Sequence, residues 1–228
     1  MNEERKTLWG GHLIQNPAQQ NVRFCAGRDV RELPMADELL LPFDIWTNRA
    51  HCIMLEKCRL IQTDHLKNIL KGLEQLETSI EKDAFKLNPE LEDVHTNVEV
   101  FVSEMQGADA GGRMHIGRSR NDQSACDTRL YLRSRSIALF EEVKNLGETL
   151  LVMAEEHCET VMPGFTHYQP AMITSWGHWL CAYVQGLCRD LERLGFTLNL
   201  VNRNPLGAAA AFGTSWPLDR ELTTKLLG

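Results

Sequence analysis

The chain has 228 residues, 43% of them apolar and 24% charged, which is enough to bury one sizeable core or two smaller ones and excludes a disordered chain. A net charge of −7 excludes a general electrostatic hold on nucleic acid or an anionic membrane surface, so an anionic substrate must be captured by local groups. No signal-peptide run opens the sequence and no stretch reaches the roughly 18 to 20 apolar residues of a membrane span, so the expected location is the cytoplasm.

The first thirty or so residues, punctuated by Trp9-Gly10-Gly11, Pro17, Gly27 and Pro34, carry no period and predict an extended arm. Helical spacing begins near Asp37. Thr63-Asp64 predicts a helix start, with Leu66, Ile69, Leu70, Leu73 and Leu76 on one face. Asn88-Pro89-Glu90 repeats the start signal ahead of Val94, Val98, Phe101 and Met105, and Gly107 predicts the stop. The glycine-rich stretch that follows, GADAGGRMHIGRSR, predicts a non-helical opening. From Leu132 to Met153, apolar residues recur as a heptad seam, predicting one helix from about Ser119 to His157, and Cys158 to about Pro170 is predicted irregular. A second seam runs from Trp176 through Leu180, Tyr183, Leu187, Leu191 and Leu194 to Val201, so two long helices should lie antiparallel and need partners along their length. Pro205 to Pro217 is a loop of small residues, and Asp219 caps a last helix. There is no strand alternation of useful length. Seven cysteines without CxxC spacing predict reduced thiols.

Three polar clusters sit at predicted helix ends or loops: Glu92 to Thr96, Gly117 to Gln123, and Pro163 to Pro170. The second puts Arg118, Ser119, Arg120, Asn121 and Asp122 where free N–H groups and the positive helix end favour a carboxylate. The third offers Thr166, His167 and Gln169, an imidazole able to move protons near neutrality beside hydrogen-bond partners. The plain alternatives are a solvated ion-pair patch capped by Ser119 and Asn121, a structural His167, a His95 satisfied on its helix, and a His178 used in packing. Zinc-ligand spacings and a phosphate-binding loop are absent from the sequence.

Taken together, LWGG (residues 8–11), EDVHT (92–96), HIGRSRNDQ (115–123), PGFTHYQ (163–169) and PLG (205–207) with Asp219-Arg220-Glu221 resemble the fumarase/aspartase superfamily, in particular the argininosuccinate lyases. The resemblance covers nearly the whole chain. It implies an all-α, long-helix bundle of the fumarase/aspartase type, with a small helical N-terminal domain (residues 1–115) and the first part of a central bundle domain (116–228), truncated within that domain. It also implies a homotetramer whose sites draw on several subunits, cleaving argininosuccinate to arginine and fumarate without metal or organic cofactor. On that basis Asn121, Thr166, Ser119, Arg120 and Gln169 bind substrate and His167 transfers a proton.

The sequence departs from the family at three places. Gly27 stands where a substrate-contacting serine aligns, Met172 falls in a differing stretch after the TH turn, and the serine-bearing GSSxMPxKxN loop lies beyond Gly228. The resulting expectation is an incomplete carbon–nitrogen lyase that associates with a C-terminal half. The alternatives are a non-catalytic helical assembly subunit and a lyase for another succinyl-type substrate.

Overall fold

The computed structural model describes residues 18–21 and 34–228; the predicted arm, the LWGG motif and the Gly27 position lie outside them. The elements are α1 (Leu41–Lys57), α2 (Thr63–Glu81), α3 (Val94–Gln106), α4 (Ala108–Arg113), α5 (Arg120–Glu156), β1 (Val161–Thr166), β2 (Gln169–Ser175), α6 (Trp176–Val201) and α7 (Arg220–Leu227), with short 3₁₀ turns at Ala36–Leu40 and Pro89–Leu91. Two compact units result, one from residues up to Tyr131 together with Asn204–Gly228, the other Leu132–Arg203.

In the first unit α1, α2 and α3 share a core. Ile69, Leu73 and Leu76 of α2 are fully buried, as their spacing predicts, and Val94, Val98 and Val102 answer them from α3. Met105 does not join them: it is exposed, because the buried face of α3 repeats every four residues and Met105 lies off it. The start of α2 is capped by Gln62, whose side chain and His65 reciprocally satisfy backbone groups, one residue before the predicted position. Proline and asparagine at 88–89 produce only a 3₁₀ turn; Glu92 takes φ 72° and breaks it, and Asp93 caps α3 through Thr96 N at 2.6 Å. The glycine-rich stretch is helical after all. Gly107, at φ 97°, reverses the chain, Arg113 pairs with Asp109 at 2.7 Å across one turn, and Gly111 lets α4 lie against Glu99 and Ser103 of α3 where a Cβ would collide.

In the second unit α6 runs antiparallel to the C-terminal part of α5. Arg133 Nη1 donates to Asn202 Oδ1 at 3.0 Å, Leu187 approaches Gly147 at mid-length, and Gly177 N donates to His157 O at 3.0 Å. The predicted seams exist, and Leu132, Leu139 and Leu146 are 41%, 46% and 51% exposed. Where an irregular stretch was expected, β1 and β2 form an antiparallel hairpin with Thr166 paired to Gln169 and a bulge at Gly164/Phe165. Alternation could not reveal it, because Pro163 and Pro170 interrupt the strands and both faces are largely exposed. A two-stranded ribbon tolerates such prolines because each strand has an unpaired edge.

Candidate functional site

Helix α1 carries a buried polar stripe, Asp44, Thr47, Asn48 and His51, at i, i+3, i+4 and i+7. Asp44 is its centre. It accepts hydrogen bonds from Asn48 Nδ2 at 2.8 Å, His95 Nδ1 at 2.7 Å and Gln123 Nε2 at 2.7 Å, so one carboxylate joins α1, α3 and α5. Asp127 of α5 accepts from Thr47 Oγ1 at 2.5 Å, while its other oxygen lies 3.6 Å from His95 Nδ1. Arg118 donates to Asn48 Oδ1 and brings a buried positive charge to the group. Burial would push both aspartates up. At Asp44 the hydrogen bond and charge of His95, with Arg118, outweigh it and bring the pKa down to about 2. At Asp127 burial is reinforced by the charge on Asp44, and the pKa rises well above the ordinary value. Burial, with Arg118 nearby, drops His51 to about 3; neutral, it donates Nε2–H to Ile116 O at 2.9 Å.

Asp44, His95 and Asp127 are also the one group of described residues whose ligand atoms converge within 4.8 Å. Sequence spacing could not reveal it, since the three residues come from three helices. Bonded to one another, to Thr47 and to the amides of Asn48 and Gln123, with Arg118 joined through Asn48, they form a buried network that ties α1, α3 and the start of α5 together. Within it, Asp127 Oδ2, Gln123 Oε1 and Arg118 Nε and Nη1 have no hydrogen-bond partner among the described residues.

That start carries the predicted anion site, and the geometry redistributes its roles. Asp122, buried, accepts from Ser119 N at 2.9 Å, and also from Gly207 N at 3.1 Å and Ala209 N at 2.8 Å in the small-residue loop. The Ser119 hydroxyl accepts from Asn121 N at 3.3 Å. Two of the helix-start amides expected to meet a ligand are thus satisfied internally. The Asn121 side chain is exposed. Arg120 lies between Glu99, 3.1 Å from Nη2, and His115, 2.9 Å from Nη1, with Thr96 Oγ1 3.3 Å from Nη2. Burial raises the Glu99 pKa, but the His115 hydrogen bond and the Arg120 charge more than reverse this and leave Glu99 below its ordinary value. Burial lowers His115, despite Glu99.

Thr166, His167 and Gln169 belong to the second unit, at the hairpin tip. His167 and Tyr168 are its two central residues, with φ 51° and 63°. Two successive positive φ values define a tight hairpin turn that Asn-Gly ordinarily occupies, so a His-Tyr pair there is strained. The turn projects all four side chains of Thr166 to Gln169 into solvent. At the base of the hairpin a cleft of about 480 Å³ is lined by Cys158, Ser175, His178 and Cys181 among others, and by none of the predicted residues. His178, expected to pack, is exposed and bonded to Thr174 Oγ1 at 2.9 Å.

The 37-residue helix α5 and its antiparallel partner α6 make this a long-helix protein, and the solved structures it matches put its fold in the fumarase/aspartase class. An EDDS lyase variant with bound fumarate superposes at TM-score 0.75 and 30% identity, over 92% of this chain and 41% of that one. The class II fumarase of Schistosoma mansoni has the same fold at TM-score 0.71 and 18% identity, over 94% and 48%. A family model described as "Lyase" matches residues 35–228, and the chain belongs to that family. Among curated relatives, the argininosuccinate lyases of Azotobacter vinelandii and Bartonella bacilliformis are 40% and 39% identical over 99% and 97% of this chain. That of Paraburkholderia phymatum is 45% identical over 84%. The chain spans about half the length of the curated relatives it matches, 47%, 46% and 41% in these three.

Proposed function

We propose that this chain contributes the substrate-carboxylate site and a proton-transfer residue to a carbon–nitrogen lyase that converts argininosuccinate to arginine and fumarate, as in arginine biosynthesis. The observation that carries the reading is GRSRNDQ at the start of α5, with Arg120 and Asn121 displayed above a buried network that fixes their backbone. The names of the curated relatives support the choice of substrate. In the reaction a base takes a proton from the carbon beside one carboxylate, the carbon–nitrogen bond breaks, and its electron pair leaves on nitrogen, which is protonated. The carbanion's charge, delocalised into the carboxylate, needs cationic and hydrogen-bonding groups. Arg120, Asn121 and Ser119 of one copy meet the carboxylate end, while Thr166 and Gln169 of other copies in the assembly orient the substrate and His167 moves a proton. No organic cofactor or metal enters these steps.

The division into a small N-terminal domain (1–115) and the first part of a bundle domain (116–228) is proposed on the same resemblance. A cytoplasmic homotetramer belongs to the same reading: no helix among the described residues is long and apolar enough to cross a membrane, and the exposed seam leucines suit burial against other helices. Partners are then the substrate, further copies and a C-terminal half, not nucleic acid or membrane.

The test is complementation. The chain is combined with the C-terminal half of the Azotobacter vinelandii enzyme, and fumarate release is followed by ultraviolet absorbance, with the separate chain as the blank. Activity that appears only on mixing is expected. In that assembly, His167→Asn should lower turnover by about 10² to 10⁴ with little change in binding. Asn121→Ala should weaken substrate binding by about 1 to 3 kcal/mol. An assembled but inert complex would favour the non-catalytic subunit instead.

A further inference from the structure

The proposed function has Arg120 meet a substrate carboxylate, yet its guanidinium is already occupied by a carboxylate of the chain itself. Nη2 donates to Glu99 Oε2 at 3.1 Å and to Thr96 Oγ1 at 3.3 Å, Nη1 lies 2.9 Å from His115 Nε2, and Nε is 3.8 Å from Asp93 Oδ2. A guanidinium recognises carboxylates along its N–H edges, so an edge held by Glu99 is withheld from a ligand. The pair is reachable: the Arg120 and Glu99 side chains retain 21% and 30% of their exposure. Glu99 also has another neighbour to keep, His115 Nε2, at 2.8 Å.

We propose that Glu99 is an internal competitor of the substrate carboxylate, so that binding at Arg120 exchanges one carboxylate for another and Glu99 sets the affinity of the site for dicarboxylates. The inference rests on the assignment of Arg120 to substrate binding. Its opposite is that Glu99 is a brace, holding Arg120 where the ligand needs it. The two differ in sign. Removing a competitor tightens binding, whereas removing a brace loosens it.

The experiment is calorimetric titration of the 228-residue chain with fumarate as the probe, for the wild type, Glu99→Gln, Arg120→Ala and the double variant, each checked for fold by circular dichroism. Glu99→Gln keeps the shape and a hydrogen-bond acceptor while removing the charge, and should bind fumarate about three- to tenfold more tightly, the scale of a partly exposed ion pair. The gain should vanish when Arg120→Ala is added. Unchanged or weaker binding by Glu99→Gln, including no detectable binding by either protein, overturns the proposal. Arg120→Ala separates the two readings. If it loses fumarate while Glu99→Gln equals the wild type, Arg120 remains the ligand and only the competition fails; if it binds as the wild type does, the assignment of Arg120 itself falls. Should Glu99→Gln not fold, Glu99→Ala is measured in its place against the same criterion.

Discussion

Asp44 and Asp127 are both buried aspartates in one network, and their replacement by asparagine should have very different consequences. Asp44 is held ionised at about 2 and accepts from three donors, Asn48, His95 and Gln123. Asparagine leaves one acceptor oxygen and points an amide group at the remaining donors. At about 1 to 3 kcal/mol for each stranded buried donor, and with the Arg118 charge no longer matched, Asp44→Asn should cost about 3 to 5 kcal/mol, the range for breaking a buried pair. Asp127 has its pKa pushed well up by burial and by the charge on Asp44, so its ionised form is far less favoured than that of Asp44, and uncharged asparagine replaces it at less cost. It retains an acceptor for Thr47, so Asp127→Asn should stay within about 1 kcal/mol of the wild type or exceed it.

Urea unfolding followed by circular dichroism at neutral pH measures both. Asp44's folded pKa lies below its unfolded value near 3.8, so its contribution is present above that value and is lost as the pH falls from about 4 to 5 through 2, by about 2 to 3 kcal/mol. The gap between wild type and Asp44→Asn should narrow across that window. Equal midpoints for Asp44→Asn and wild type, or equal losses in the two variants, would refute the assignment of charge.

His51, buried and lowered from 6.5 to about 3, stays neutral in the fold while the unfolded chain takes up a proton. Stability should therefore fall as the pH drops below 6.5 toward 3, and the His51 ring signals should show no titration between pH 5 and 8 by NMR. Gly111→Ala forces a Cβ into Glu99 O and Ser103 and should lower the urea midpoint by the equivalent of about 1 to 3 kcal/mol, whereas Gly112→Ala, which meets nothing within 4 Å, should not. The exposed seam should drive self-association in sedimentation velocity. Leu139→Lys and Leu146→Lys together should shift the chain toward monomer, and a monodisperse wild-type monomer at micromolar concentration would contradict the reading.

The long helices were legible because a heptad seam is a repeated signal, and a single deviant residue cannot erase it. The short elements were not. GADAGGR reads as a loop residue by residue, yet Gly111 is what admits α4 against α3, a tertiary reason that no local propensity contains. The hairpin was hidden for the opposite reason: its strands bury neither face, so the period-two signal on which strand recognition depends is missing. The turn gave no signal either, since His-Tyr is not a pair that turn chemistry anticipates.

The candidate site divides in the same way. GRSRNDQ announced a helix start with cationic and amide groups, and the structure has one there. Which of those groups face a ligand was not legible, because that depends on Asp122 claiming the amides of Gly207 and Ala209 and on Glu99 claiming Arg120, contacts that reach 85, 87 and 21 residues along the chain. The Asp44 network did leave a trace, a polar i, i+3, i+4, i+7 stripe in a helix whose other positions are mostly apolar. Such a stripe would ordinarily be assigned to solvent. Here it is buried because α3 and α5 bring His95, Gln123 and Asp127 to meet it. An ionised carboxylate at its centre is tolerable only while its three donors, Asn48, His95 and Gln123, are in place. The network therefore makes the position of the α5 start conditional on the packing of α1 and α3, and losing Asp44 should loosen Ser119, Arg120 and Asn121 together.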